Sequence, residues 1–311
     1  MSTTSRPGMG SPSPRATWTV RFGLGVVCAV WTIPVIGTLI NSFRTRDAQQ
    51  STGWWTAIAS PLDVTQWTLD NYRVTLFTTS GDGVHMGQAF LNSLIVALPA
   101  TVIPILIAAF AAYAFTFMQW RGRGVLLVVF VCLLIVPNQV ALVPLLKIYG
   151  AVGLTGTFLG VWLVHVAFGM PLAVYILRSY MSGLPKEVIE SARVDGASHF
   201  TAFWRLVIPM SVPAFVSFAI LQFVGVWGDL LVALLFLGRG ENATATVALQ
   251  SLHGQDINST ELIPSAALVT IVVPVLAALA LRNYVVRGLT SAAVTEPRAR
   301  PPQPPAGGPA P

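Results

Sequence analysis

Six long apolar stretches, separated by polar segments, limit what this chain can fold into more than any other feature. About 20 apolar residues are enough to cross the hydrocarbon core of a bilayer as a helix. Only 10% of the 311 residues are charged and 54% are hydrophobic, whereas soluble domains carry about 25% charged residues. The sequence therefore predicts an all-α membrane protein with several transmembrane helices.

The predicted membrane domain covers residues 20–290 and holds six transmembrane helices. The first apolar stretch has a basic start, but it exceeds the roughly 7–15 residues of a signal-peptide core, so we interpret it as an uncleaved span. A tail at 1–19 is predicted to be disordered, and a Pro-rich tail at 291–311 to be solvated. The spans are expected at about 22–43, 90–118, 125–148, 158–179, 207–237 and 262–286.

Lysine and arginine are unevenly divided between the two sides of these spans. If the N-terminus is cytoplasmic, the inside segments hold 13 of the 18 basic residues and the outside segments hold 5. Short cytoplasmic loops carry such an excess in membrane proteins. We therefore expect a multi-pass protein of the cell membrane, with both termini and the loop between spans four and five in the cytoplasm.

That loop, residues 185–209, has the pattern of a helix–turn–helix. Pro185 suits a first helical position, Gly196 suits a turn because glycine tolerates positive φ, and Pro209 opens the next apolar stretch. Three aromatic residues at positions i, i+3 and i+4 would form one face of the second helix: Phe200, Phe203 and Trp204. From the residues alone, an ordinary amphipathic segment on the lipid headgroups remains an alternative.

The spacing within the loop resembles a known pattern. Glu190-Ser191-Ala192 is followed three residues later by Gly196, and nine residues after that by Leu206-Val207-Ile208-Pro209. This resembles the EAA loop of ATP-binding-cassette (ABC) importer permeases, with three conservative replacements. Phe90-Leu91-Asn92-Ser93-Leu94 and Trp227-Gly228-Asp229 are similar to segments of the carbohydrate-uptake permeases of the maltose and alpha-glucoside type, although Gly228 stands where these often have Asn.

The resemblance implies a permease subunit that forms half of a pathway for a mono- or oligosaccharide, such as an alpha-glucoside or glucose. It implies as partners a second related permease, two ATPase subunits that bind ATP and Mg²⁺, an external sugar-binding protein and membrane lipid. The aromatic residues of the loop would fill a cleft on the ATPase; packing on their own domain is the alternative. The expected ATPase-coupling residues are Glu190, Ser191, Ala192, Asp195, Gly196, Phe200, Phe203, Trp204 and Pro209.

Several polar or hydrogen-bonding residues lie in or near the apolar stretches. They are candidates for lining the solute pathway: Asn92, Asn138, Gln139, His165, Gln222, Trp227 and Asp229. Asp229 is the most costly to place in hydrocarbon, and Trp227 beside it offers the aromatic face that suits a sugar. The alternative for each residue is a hydrogen bond between helices or, for Asp229, an interfacial carboxylate.

Other functional classes lack the residues they need. The sequence has no G-x-x-x-x-G-K-[ST] phosphate loop, so we expect this chain to be a transport subunit without cofactor or ATPase activity. Its four histidines have no ligand-like spacing, which argues against a metal site or a membrane enzyme. An ion-gradient transporter needs paired ionisable groups within the spans, and only His165 and Asp229 qualify. The net charge of +6 reflects the excess of basic residues in the predicted cytoplasmic segments. We therefore expect no nucleic-acid partner. A non-sugar solute remains an alternative.

Overall fold

The computed structural model describes three segments of the chain, residues 18–78, 85–255 and 257–293. The tails predicted at 1–19 and 291–311 lie almost wholly outside these segments. Where the tails reach into them, the chain is helical, because the first helix begins at Trp18 and the last ends at Ala293.

Helices make up most of the described segments. Two 3-10 turns occur at Val64–Gln66 and Ile257–Leu262, and one π-helical turn at Phe203–Val207. The α-helices, in chain order, are α1 Trp18–Ser42, α2 Arg46–Ser51, α3 Trp54–Ala59, α4 Asp70–Phe77, α5 Met86–Phe117, α6 Arg123–Ile135, α7 Asn138–Ala151, α8 Phe158–Ser182, α9 Lys186–Val194, α10 His199–Ala202, α11 Ile208–Gly228, α12 Leu230–Phe236, α13 Ala245–Gln255 and α14 Ile263–Ala293.

Five unbroken helical stretches in the described segments are long and apolar enough to cross a bilayer, and one bent pair would make a sixth crossing. The pair is α6 with α7. The predicted all-α membrane fold is confirmed, and six spans are reached when the bent pair counts as one. The unbroken stretches are Trp18–Ser42, Met86–Phe117, Phe158–Ser182, His199–Gly228 and Thr260–Ala280.

The span expected at 125–148 is not a single rod. Helices α6 and α7 meet at an angle of 100°, and the two residues between them, Val136 and Pro137, both have extended backbone with ψ of 123°. Proline disfavours helical backbone in the residue before it and has no N–H to continue the ladder. This α6–α7 bend therefore follows from Pro137.

The span expected at 207–237 also differs from the prediction. It begins earlier, because α10, the π-helical turn and α11 form one continuous helical stretch from His199 to Gly228. It is interrupted at Asp229, whose backbone is extended and whose Oδ1 accepts a hydrogen bond of 2.9 Å from the Val232 N–H. Aspartate is a strong N-cap residue, so its carboxylate starts the separate helix α12.

Helices α5, α8 and α11 pack together at the centre of the bundle. Small residues line these contacts: Ala108 and Ala112 on α5 and Ala173 on α8 are fully buried. On α8, a Cβ added to Gly169 would lie 2.6 Å from Nε2 of Gln222 on α11. Small side chains let helix backbones approach closely, which is the usual basis of helix association in membranes.

Residues 44–78 form a small polar cap after α1. Arg44 is 1% exposed, and its guanidinium donates hydrogen bonds to the carbonyl of Ala48 at 2.8 Å and of Thr52 at 3.2 Å. Asn71 on α4 donates to the carbonyl of Arg44 at 2.8 Å. The Arg44 guanidinium also donates to Oδ1 of Asn41 on α1 at 3.2 Å, so the buried arginine ties the cap to the end of the first span.

On the exposed side of the cap, hydrogen bonds from the Thr65 side chain and N–H lower the pKa of Asp63.

Candidate coupling loop and solute pathway

The first helix of the loop is α9, Lys186–Val194. Pro185 is its N-cap and Lys186 its first helical residue, so the predicted position of Pro185 was wrong by one residue. Glu187 lies in the first turn and Arg193 in the last turn. Each of these charges interacts favourably with the nearer end of the helix dipole and so stabilises α9. Ile189 is 3% exposed and anchors this helix to the membrane domain.

The turn after α9 is centred on Gly196. Its φ is +87°, a conformation that glycine adopts without strain. The Gly196 N–H donates to the Arg193 carbonyl at 3.1 Å, and the Ala197 N–H donates to the Ala192 carbonyl at 2.9 Å. These two bonds form a Schellman motif, which fixes the direction in which the chain leaves α9.

The second half of the loop is the beginning of a span and not a separate helix. Oγ of Ser198 accepts a hydrogen bond of 3.1 Å from the Thr201 N–H and starts α10. The π-helical turn then leads into α11, in which Pro209 is the second residue. Proline cannot donate the usual helical hydrogen bond, and the wide turn lies immediately before it. The loop therefore continues into α11 as one helical stretch.

The three aromatic residues of the loop divide into two groups. Phe203 is 2% exposed and stacks on Phe110 of α5, with ring centroids 4.7 Å apart. For Phe203 the structure favours the alternative, packing on its own domain, because the continuous helix turns this side chain toward α5. Phe200 and Trp204 are 68% and 45% exposed and remain accessible.

A contact that the sequence did not reveal joins the loop to α5. The hydroxyl of Tyr113 lies 3.0 Å from Nδ1 of His199, and the two rings meet edge to face. Tyr113 is 5% exposed. The residues are far apart in the chain and neither belongs to the spaced loop pattern, so no local signal pairs them.

Several polar residues of the loop are exposed. Glu190, Ser191 and Asp195 are exposed, and the Ser191 hydroxyl donates to the Val188 carbonyl at 3.1 Å. Ala192 is half-buried. The loop therefore presents carboxylates and a hydroxyl beside the exposed Phe200, while Phe203 and Ile189 hold it to the bundle.

Asn92 and Trp227, two of the residues predicted to line a pathway, have structural partners instead. Asn92 is 1% exposed and donates to the carbonyls of Glu241 at 2.7 Å and Ala243 at 3.0 Å. Trp227 is 3% exposed, and its Nε1 donates to the Thr270 carbonyl at 2.8 Å. For both residues these bonds favour the alternative, hydrogen bonding within the protein, over contact with a solute.

Gln222 and His165 form part of the contact between three helices. Nε2 of Gln222 on α11 donates to the Ala100 carbonyl of α5 at 3.2 Å and to the His165 carbonyl of α8 at 3.3 Å. His165 is 5% exposed. Hydrogen bonds between helices, the alternative considered, describe the Gln222 side chain. His165 contributes its backbone carbonyl to this contact, so its imidazole stays a candidate.

Asn138 and Gln139 occupy a different environment. Both are exposed, and both begin α7 directly after the α6–α7 bend. Exposed amides within a broken span are costly against lipid and are tolerated where the backbone lines a cavity or meets protein. Asp229 is partly exposed at the second break, between α11 and α12. These three residues remain candidates for contact with a solute.

A bundle of membrane-spanning helices, one of them bent, with a charged helix–turn–helix that continues into a span, defines a membrane transport subunit. The chain belongs to the family described as binding-protein-dependent transport system inner membrane components, whose family profile matches residues 77–291. It is thus a multi-pass permease component of an ABC importer and not an enzyme. The prediction of this family is confirmed, which removes the ion-gradient transporter and the membrane enzyme as alternatives.

Similar proteins are permeases of related transporters. The osmoprotective compounds uptake permease protein GgtD of Synechocystis is 47% identical, over 88% of this chain and 91% of that protein. The alpha-glucoside transport system permease protein AglG of Rhizobium meliloti is 37% identical, over 91% of this chain and 99% of that one. The trehalose transport system permease protein SugB of Mycobacterium tuberculosis is 32% identical, over 73% and 82%.

A solved structure shares the fold. A chain of a bacterial ABC transporter involved in the import of the acidic polysaccharide alginate superposes with a TM-score of 0.66 at 19% identity, covering 87% of this chain and 99% of that chain. A second structure of a bacterial alginate transporter, in complex with a periplasmic protein bound to an alginate pentasaccharide, gives a TM-score of 0.56 at 14% identity. At these identities the likeness establishes the fold alone.

Proposed function

We propose that this chain forms half of the translocation pathway of an ATP-driven importer for a small carbohydrate, and that residues 185–209 couple it to separate ATPase subunits. The observation that carries the coupling role is the unbroken helical stretch from His199 to Gly228, which joins the loop to a span. The carbohydrate class is supported by relatives named for alpha-glucosides and trehalose.

The proposed assembly contains this chain, a second related permease, two ATPase subunits and an extracytoplasmic sugar-binding protein. ATP and Mg²⁺ would bind to the ATPase subunits, because this chain lacks the phosphate loop. The excess of basic residues on one side supports an orientation with both termini and the loop in the cytoplasm. The loop would then face the ATPase, and the cap at residues 44–78 would face the binding protein.

Coupling would proceed by rigid-body displacement of the loop. The exposed residues Glu190, Asp195, Phe200 and Trp204 would contact the ATPase, with the two aromatic side chains as the apolar anchors. Ser191, Ala192 and Gly196 would set the shape of this surface, while Phe203 and Pro209 act inside the domain. Closure of the ATPase pair would move α9 and α10, and α11 would follow as a lever.

The solute would contact this chain at the α6–α7 bend and at the break between α11 and α12. Asn138 and Gln139 at the α6–α7 bend offer amide donors and acceptors, which suit sugar hydroxyls. One oxygen of the Asp229 carboxylate accepts the N-cap hydrogen bond from the Val232 N–H. The other oxygen can accept a hydrogen bond from a sugar hydroxyl. Broken helices that meet a polar path are a recurring way of building a solute site in transporters.

A second candidate substrate class is a non-sugar osmoprotective solute. It is favoured by the 47% identity to a permease named for osmoprotective compounds. Such a solute would use the same pathway and the same coupling loop, so the two candidates differ only in the chemistry of the transported molecule.

Uptake by the reconstituted importer distinguishes these candidates and tests the proposal. Vesicles with all subunits are loaded with ATP, and uptake of a labelled disaccharide is competed with monosaccharides, polyols and zwitterionic osmolytes. We expect competition by sugars, and weaker uptake affinity for Asn138→Leu and Gln139→Leu than for the neighbouring control Val140→Leu. Uptake driven by an ion gradient without ATP would contradict the proposed function.

A further inference from the structure

A polar cavity of 260 Å³ lies behind the loop, between α9, the end of α5 and the start of α6. One water needs roughly 10–15 Å³ by the same measure, so the cavity admits a chemical group much larger than water. Its floor is the Tyr113–His199 pair. The solute pathway and the exposed aromatic surface of the loop do not use this cavity.

The charge of the cavity is strongly positive. Arg123, Lys186 and Arg193 line it, and Glu190 is the one carboxylate among its lining residues. No ion pair within 4 Å joins Glu190 to these cations in the described residues. Three cations against one carboxylate favour an anion, while the carboxylate and the Tyr113 hydroxyl can bind hydroxyl groups.

Interfacial and apolar residues are neighbours in the chain of the cavity-lining Gln119 and Arg123. Trp120, in the turn between α5 and α6, is 39% exposed, and tryptophan is enriched at the membrane–water interface. The apolar helix α6 begins at Arg123, and Val125 and Leu126 on it are 72% and 43% exposed. A headgroup in the cavity could therefore extend its acyl chains along α6.

We propose that this cavity binds the headgroup of an anionic phospholipid whose phosphodiester carries free hydroxyls, as in phosphatidylglycerol. The phosphate would pair with Arg123, Lys186 and Arg193, and a glycerol hydroxyl would hydrogen-bond to the Tyr113 hydroxyl, so that Glu190 stays available to the ATPase. Basic pockets between transmembrane helices on the cytoplasmic side are suited to such headgroups. The inference rests on the proposed cytoplasmic position of the loop, and it adds a lipid ligand beside the ATPase-coupling surface.

Native mass spectrometry of the whole importer tests the inference. The importer is reconstituted into nanodiscs that contain phosphatidylglycerol and phosphatidylcholine, and the lipids that stay bound after its release are identified. We expect the wild-type complex to retain phosphatidylglycerol, and the double variant R123Q/K186Q to bind it more weakly by roughly fivefold for each cation removed. Arg123 also donates to the Met118 carbonyl at 3.0 Å, so Arg123→Lys separates charge from local structure and should retain the lipid. Arg73→Gln, which removes an exposed cation from the cap, is the matched control.

Three outcomes would overturn the inference. They are equal retention of phosphatidylcholine, unchanged retention in the double variant, and displacement of the lipid by millimolar inorganic phosphate, which would make the site one for free phosphate. Because lipid retention is measured without ATP or solute, a negative result leaves the transport assay unaffected. Failure of transport with normal lipid retention would instead count against the proposed function.

Discussion

The Tyr113 hydroxyl on α5 lies 3.0 Å from Nδ1 of His199, the first residue of α10. This hydrogen bond joins one central span to the helical stretch that continues into another, α11. Phe203 stacks on Phe110 of α5 in the same region. The loop is therefore fixed to two spans at once, by helical continuity to α11 and by side-chain contacts to α5.

Tyr113→Phe should weaken coupling while the protein still folds. The substitution keeps the ring that packs on Phe203 and removes only the hydrogen bond to His199. A hydrogen bond contributes about 0.5–1.5 kcal/mol net, so we expect the solute transported per ATP hydrolysed to fall by roughly two- to tenfold. Tyr180→Phe, which removes a hydroxyl elsewhere in the same core, is the control. Equal coupling ratios in both variants would argue against a mechanical role for the contact.

Gly196→Val should abolish ATPase docking without preventing membrane insertion. The φ of Gly196 is +87° and no atom lies within 4 Å of the place that a Cβ would occupy, so the penalty comes from the backbone alone. Left-handed backbone costs a residue with a Cβ roughly 1–2 kcal/mol, and more for a β-branched one. Co-purification of the ATPase measures docking. Gly196→Asn should be milder, and Gly183→Ala, at a φ of −87°, should be tolerated. Normal ATPase docking of the Gly196→Val variant would contradict the proposed role of the turn.

Asn92→Ala should loosen the segment around Glu241 and Ala243. Both backbone carbonyls lose the Nδ2 donor of Asn92, and an unsatisfied buried group costs about 1–3 kcal/mol. We expect a lower Tm, with ATPase docking unchanged. Gln88→Ala, which removes only the bond of 3.1 Å to Asn92 Oδ1, should have a smaller effect. Equal Tm values for wild type and Asn92→Ala would show that the carbonyls find other donors.

Arg44→Lys should destabilise the cap although it keeps the charge. The guanidinium reaches the carbonyls of Ala48 and Thr52 together, and a lysine ammonium lacks this planar fork. We expect faster proteolysis within residues 44–78 and a lower Tm, whereas Arg73→Lys on the exposed side of α4 should change neither. Unchanged proteolysis of Arg44→Lys would mean that the positive charge alone is sufficient.

Much of the fold could be predicted from the sequence because hydrophobic length determines where helices can cross a bilayer. The α6–α7 bend had a visible signal in Pro137, yet proline within a span is often tolerated. The break at Asp229 was harder to foresee, since an N-cap carboxylate looks the same in sequence as a buried functional one. Hydropathy thus identifies an apolar stretch without showing whether it is straight.

The loop could be predicted more fully than the pathway. The turn at Gly196 depends on local backbone preference, which a sequence displays directly. Which side of the second helix faces α5 depends on packing, so the sequence could not decide whether Phe203 packs on its own domain or on a partner. Asn92 and Trp227 donate to carbonyls distant in the chain, and no spacing rule reveals such partners.

Accessibility of a single cysteine at position 200 tests the central claim most directly. With Cys28 and Cys132 replaced by Ser, Phe200→Cys is treated with a membrane-impermeant thiol reagent in right-side-out and inside-out vesicles. Arg239→Cys, in the segment between α12 and α13 that the basic-residue count assigns to the outer side, serves as the control for the opposite face. We predict that Phe200→Cys reacts only in inside-out vesicles, and that bound ATPase subunits protect it. Reaction from the outer face, or equal reaction with and without the ATPase, would contradict the account.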